Sequence, residues 1–129
     1  MIDVLVVDDS KFMAKALGRL LGELGFNVVG LAHDGIQGLA QFRKLKPAVT
    51  LLDITMPNMD GVECLSKILE VDSDARVVML SAIQSPETVD ECLERGAASF
   101  VRKPIRKDCA EDRTRLRDTL EKAVEVVEL

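Results

Sequence analysis

The stretch Ala48-Val49-Thr50-Leu51-Leu52-Asp53-Ile54-Thr55-Met56-Pro57-Asn58-Met59-Asp60-Gly61 decides how this chain is read. Five uncharged, mostly apolar residues run into one carboxylate. A short apolar run bounded by turn residues predicts a buried strand of a parallel sheet. Asp53 then stands at the strand's carboxyl end, the edge at which open α/β sheets bind their ligands. Pro57 and the residues from Asn58 to Gly61 turn the chain into a loop directly afterwards. Asp60 precedes a helical pattern that starts at Val62, so it suits the N-cap of that helix.

Working outward, the same unit recurs. Ile2 to Val7 predicts a first buried strand, broken by Asp8-Asp9-Ser10. Met13, Leu17, Leu20, Leu21 and Leu24 follow at helical spacing, with Gly25 as the stop. Val28 to Ala32 predicts a second strand. The turn His33-Asp34-Gly35 leads to a short helix marked by Ile36, Leu39, Ala40 and Phe42, ending before Pro47. Beyond Asp53, Val62, Leu65, Ile68 and Leu69 mark a third helix, and Val77 to Ser81 a fourth strand. Ser85-Pro86 opens a fourth helix containing Val89, Cys92 and Leu93, closed by Gly96. Ser99 to Val101 predicts a fifth strand, and Leu116, Leu120, Ala123, Val124 and Val127 a last amphipathic helix.

Five alternations of strand and helix predict a parallel sheet, because each crossover helix returns the chain to the same edge. All five strand ends then point one way. They carry Asp8 and Asp9, His33 and Asp34, Asp53, Ser81, and Arg102 with Lys103.

The 129 residues suffice for one domain, expected to span 1–129. The net charge of −5 and pI near 4.9 argue against direct nucleic-acid binding, which needs a basic face. Cys64, Cys92 and Cys109 are odd in number and form no C-x-x-C pair, so neither zinc nor redox chemistry is suggested. With no signal peptide and no membrane-length apolar run, the expected compartment is the cytoplasm.

Asp8, Asp9 and Asp53 are therefore expected close together. Two like charges about 4 Å apart repel by roughly 4 kcal/mol at an effective dielectric near 20. A divalent cation relieves that repulsion, and an all-oxygen donor set favours Mg²⁺ or Mn²⁺ over zinc. Lys103 can neutralise a phosphoryl group from the opposite side, and Ser81 can hydrogen-bond to it. These are the parts that phosphoryl transfer to an aspartate requires. Taken singly each residue has a plainer role: Asp8-Asp9 could cap the first helix, Lys103 could be a solvated lysine, and Ser81 a turn residue.

The sequence resembles the receiver domain of two-component response regulators, the CheY-like family, over nearly its whole length. Val4 to Ser10 resembles the acidic-pair strand, and Asp53 to Gly61 the phosphoacceptor loop. Ser81-Ala82 resembles the Ser/Thr-Ala signature, and Gly96 to Pro104 the fifth-strand signature. The wording Asp53-Ile54-Thr55-Met56-Pro57 and the start at Asp9-Ser10 look most like chemotaxis-type receivers. The resemblance implies a flavodoxin-like fold, doubly wound, with five parallel strands in the order 2-1-3-4-5 and five helices. It implies that Asp53 accepts a phosphoryl group from a sensor histidine kinase or phosphotransfer protein in trans. It further implies Mg²⁺ held by Asp8, Asp9, Asp53 and the backbone carbonyl of Thr55. Lys103 and Ser81 would meet the phosphoryl group. Phe100 would be the switch aromatic read by a downstream protein target, against the plainer reading of a permanent core residue. The Lys103–Pro104 bond would be cis. Thr55 and Ile83 occupy positions that tune phosphoryl lifetime in the family. The charged segment from Arg106 to Arg115 departs from minimal members, so the final helix could start late or be extended. His33, the only histidine, lies in a turn rather than on a helix face, so the phosphoryl donor is expected in trans.

Two other classes fit the sequence less well. A phosphatase of the haloacid-dehalogenase type needs a second acid two residues after Asp53, where this chain has Thr55. A nucleotide- or flavin-binding module needs a Gly-rich first turn in place of Asp8-Asp9. The chain is then expected to be no enzyme but a phosphoacceptor that assists its own phosphotransfer and dephosphorylation. It is expected to act alone or as one domain of a longer regulator.

Overall fold

A computed structural model describes residues 1–81 and 86–125. Strands β1 (Asp3–Val7), β2 (Asn27–Ala32), β3 (Val49–Asp53), β4 (Val77–Ser81) and β5 (Ser99–Arg102) alternate with helices α1 (Lys11–Glu23), α2 (Gly35–Leu45), α3 (Gly61–Val71), α4 (Pro86–Arg95) and α5 (Ala110–Ala123). The strands form one sheet in the order β2-β1-β3-β4-β5, every pairing parallel. The expected fold class and strand order are those observed.

Two apolar layers hold the sheet. Side chains alternate along each strand, so Val4 and Val6 face one way and Leu5 and Val7 the other. The first set joins Val49, Leu51, Val78 and Leu80 under Leu17, Leu21, Leu116 and Leu120 of α1 and α5. The second joins Leu52, Val77 and Met79 under Phe42 of α2, Leu65 and Ile68 of α3 and Cys92 of α4. The central strand β3 is buried from end to end, which is why its sequence shows a continuous apolar run rather than alternation. Thr50 is the exception within it: its hydroxyl is buried and makes no hydrogen bond.

Local chemistry sets the element ends. Ser10 caps α1, its Oγ accepting from Met13 N at 3.2 Å. The alternative of an Asp8-Asp9 cap is thereby corrected: Asp8 Oδ1 accepts instead from Ser10 N at 3.0 Å, tying the turn. Asp60 caps α3 as its position predicts, accepting from Glu63 N at 2.9 Å. Gly25 and Gly96 follow α1 and α4 with φ of 93° and 117°, a region that glycine enters without steric cost.

Three readings of the helices need adjustment. Ile36 and Leu93, counted in the apolar stripes of α2 and α4, face solvent. Helix α5 begins at Ala110, where Asp112 accepts from Arg106 N and Arg106 Nε and secures the turn before it. It ends at Ala123 with Val124 as C-cap. Ser85, Ala82, Ile83 and Val127, each given a role from sequence, lie outside the described residues.

Helix α4 is the least embedded of the five. Cys92 is its one buried residue among those described. Its C-terminal Arg95 donates to Ser66 Oγ of α3 at 2.8 Å and to Glu91 at 2.8 Å.

Candidate phosphoacceptor site

Register brings the strand ends together. Val7 pairs with Leu52, Asp53 with Leu80, and Ser81 with Arg102. Asp8, Asp53, Ser81 and Lys103 thus emerge side by side at the carboxyl edge. The order of the sheet reverses between β1 and β3, and that switch point is where a crevice opens.

Asp8, Asp9 and Asp53 each place a carboxylate oxygen within 4.8 Å of the others. Asp8 is completely buried and Asp53 nearly so, while Asp9 is exposed. Lys103 reaches in from the β5 end, its Nζ 2.7 Å from Asp8 Oδ2 and 3.3 Å from Asp53 Oδ2. One ammonium against three carboxylates leaves a net negative pocket. Burial pushes the Asp53 carboxyl up from 3.8 to about 6; the nearby Lys103 opposes the shift, while Asp8 and Asp9 add to it. Burial alone would lower the Lys103 ammonium, but its hydrogen bond to Asp8 and the charge of Asp53 outweigh that and hold it above its ordinary value.

A hard divalent cation fits this donor set. All three groups offer oxygen, the two inner ones are buried, and no histidine or cysteine belongs to the cluster. Exposed Thr55 follows Asp53 by two residues in the bend after β3. Ser81 is buried at the end of β4, and its carbonyl accepts from Lys103 N at 2.9 Å. Phe100 pairs with Met79 and is half-buried against the α2–α4 layer. The Lys103–Pro104 peptide is cis.

Several supporting contacts were not legible in the sequence. His33 Nδ1 lies 3.2 Å from the Asp8 carbonyl oxygen, so the turn histidine packs against the acidic pair. Asn58, at φ 68°, donates to Asp34 Oδ2 at 3.3 Å and ties the loop after Asp53 to the start of α2. Gly61 donates to the Ile54 carbonyl at 2.7 Å. A Cβ at Gly61 would collide with the Asp53 carbonyl oxygen and come within 2.6 Å of Ile54 Cα. The glycine is therefore what lets α3 start directly beneath the acidic residue.

Comparison with known proteins agrees with this geometry. A family model described as the response regulator receiver domain matches residues 4–125. The chemotaxis protein CheY of Treponema pallidum is 44% identical over 104 residues, covering 79% of this chain and 72% of that protein. The CheY of Listeria monocytogenes is 36% identical over 123 residues, 95% of this chain and 98% of the relative. Among solved structures, the CheX-CheY-BeF3-Mg²⁺ complex from Borrelia burgdorferi superposes with a TM-score of 0.87 at 35% identity, covering 97% of this chain and 90% of that one. The response regulator domain of Thermotoga maritima CheB gives 0.87 at 33% identity, with 99% of both chains covered. The chain belongs to the receiver domain family of two-component response regulators and is CheY-like within it.

Proposed function

We propose that Asp53 is the phosphoacceptor of this receiver, and that residues 1–129 act as a single receiver domain. The carrying observation is the placement of Asp53: nearly buried at the end of β3, with Lys103 Nζ 3.3 Å from its carboxylate and two further acids beside it. A carboxylate oxygen of Asp53 attacks the phosphorus of a partner's phosphohistidine. The P–N bond breaks, and the imidazole leaves with the electron pair and takes up a proton. Lys103 holds one face of the pocket positive against the incoming oxygens. Ser81, at the next strand end, donates to the phosphoryl group. Asp8, Asp9, Asp53 and the Thr55 carbonyl would hold Mg²⁺, which supplies positive charge against the phosphoryl oxygens when bound. The solved Borrelia relative, crystallised with BeF3 and Mg²⁺, supports that choice of ion.

The donor acts in trans: a sensor histidine kinase or a phosphotransfer protein. His33, turned onto the Asp8 carbonyl, supports this over a donor within the chain. The CheY relatives are signalling proteins rather than conventional enzymes. The phosphatase alternative lacks its second acid, because Thr55 stands where that group is needed. Output passes by protein contact to a downstream target, and the chain assists its own dephosphorylation. Among the described residues no helix is long and apolar enough to cross a membrane. The three free thiols fit the cytoplasm, where a kinase's phosphorylated histidine is presented.

Incubation with a small phosphodonor and Mg²⁺, read by intact mass, should add one phosphoryl group. Asp53→Asn should abolish the addition. Labelling that persists in Asp53→Asn overturns the assignment.

A further inference from the structure

Away from the acidic pocket, α1 and β2 line a shallow, open trough of about 430 Å³. Its walls are Lys15, Gly18 and Arg19 of α1 and residues 28–31 of β2. We propose that this trough docks an acidic, extended segment of a partner protein. The proposal does not depend on which residue accepts the phosphoryl group.

Charge is the first argument. The chain carries a net −5, yet α1 presents Lys11, Lys15 and Arg19 at successive i, i+4 positions, which share one face. All three are exposed. The one acid of the helix, Glu23, meets Arg113 of α5 at 3.5 Å. Among the described residues no ion pair reaches Lys11, Lys15 or Arg19. A positive stripe left unpaired on an acidic protein is complementary to carboxylates from outside.

The sheet edge is the second. Strand β2 ends the sheet, with β1 on one side and, among the described residues, no strand on the other. Its sequence, Asn27-Val28-Val29-Gly30-Leu31-Ala32, has no charge and no proline to blunt the edge. Residues 28–31 are only half-buried, so an apolar floor lies beside the cations. On this edge the Leu31 carbonyl already accepts from Gln41 Nε2 of α2 at 3.0 Å, so an extended segment would lie along the edge ahead of Leu31 and set alternate side chains toward the helix. Its same-side residues repeat about every 6.6 Å, close to the 6 Å rise between i and i+4 of the helix. Carboxylates at alternate positions therefore fall opposite Lys15 and Arg19.

A second copy of this chain is the wrong occupant. A two-fold contact through β2 would bring the α1 cations of both copies to one seam, like charge against like. The extra residue Val29, between the pairs Val4–Val28 and Leu5–Gly30, bulges the strand and shortens the pairing open to a copy and to a peptide alike, so the α1 charge is what decides between them. Nucleic acid would meet the same cations, but the net charge opposes it and it has no use for the apolar floor.

The test is an NMR titration of the ¹⁵N-labelled full chain with an end-blocked hexapeptide that alternates glutamate with valine. Shifts should cluster at Lys15, Gly18, Arg19 and residues 28–31 and weaken with added salt. Lys15→Glu with Arg19→Glu should cut affinity at least about tenfold, since attraction becomes repulsion. Gly18→Ala should weaken binding several-fold by filling the floor. Its Cβ would sit 3.6 Å from Leu31 Cδ2 and 3.9 Å from Val28 Cγ1, ordinary contacts, so that variant should melt no lower than the parent. Each variant should keep its Mg²⁺-dependent phosphorylation. Shifts centred elsewhere, no shifts, equal affinity for the lysine–valine peptide, or preferential binding of a single-stranded oligonucleotide to the same residues would each overturn the proposal.

Discussion

Replacing Asp53 by asparagine should make the metal-free protein more stable, not less. Burial first, then Asp8 and Asp9, raise this carboxyl from 3.8 to about 6 despite Lys103. Once the pH is well above 6, holding the group ionised in the fold costs about 3 kcal/mol relative to the unfolded chain. The sign follows from proton binding. Between pH 3.8 and about 6 the folded state holds a proton that the unfolded state has released. Stability is therefore greatest below that window and falls as the pH rises through it. Asparagine removes the charge but leaves a buried amide to be satisfied, so the net gain at pH 7.5 should be about 2 kcal/mol. The gain should shrink to about a third by pH 5 and be lost, with a slight reversal, by about pH 4, as the parent carboxyl becomes protonated while the cost of the buried amide stays. Urea unfolding of both proteins in EDTA across pH 4–8 measures this directly. An Asp53→Asn variant no more stable than the parent at pH 7.5, or an advantage independent of pH, would refute the claim that this acid is held against its own electrostatics.

Millimolar Mg²⁺ should stabilise the parent, by about 2.7 kcal/mol at a hundred times its dissociation constant, and Asp9→Ala should weaken the effect in a thermal melt. Gly61→Ala should cost at least about 2 kcal/mol and slow phosphorylation, because the added methyl displaces the Asp53 carbonyl; urea unfolding and mass labelling read both. Thr50→Val should raise stability by about 1 kcal/mol in the same unfolding assay, since it removes a buried hydroxyl without a partner. Structures with and without beryllofluoride should differ in the Phe100 rotamer and Ser81 position. Coupling between the two sites should be about 1–3 kcal/mol, and identical side chains in both states would remove Phe100 from the output.

The acids and the lysine were visible in the sequence for a definite reason. Asp8 and Asp53 each close a continuous apolar run, Lys103 follows the short strand Ser99–Arg102, and a parallel sheet aligns such ends without further information. What stayed hidden depends on side-chain paths between segments far apart in the chain. Lys103 sits closer to Asp8 than to Asp53, and no spacing rule sets that preference. Asn58 and Asp34 are 24 residues apart and meet only because α2 and α3 lie side by side. The solvent-facing Ile36 and Leu93 show the converse limit. Helical periodicity marks apolar positions, but which of them meets the sheet is set by the helix's roll. The start of α5 was obscured by charge: Arg106 and Asp112 read as a polar stretch, although their contact is what secures the turn ahead of the helix.

The shallow seating of α4 has a consequence for what this molecule can transmit. A helix with one buried residue among those described, the Cys92 thiol, and an arginine clasp on α3 should open locally at a fraction of the free energy that unfolds the sheet. Its amides should exchange with solvent well before those of β3, whose five residues are all buried. A rigidly packed helix would ignore a perturbation of a few kcal/mol, whereas one held this lightly can be re-seated by it. The chain thus sets a fully buried strand, which carries Asp53 at its end, beside a helix with one buried residue among those described.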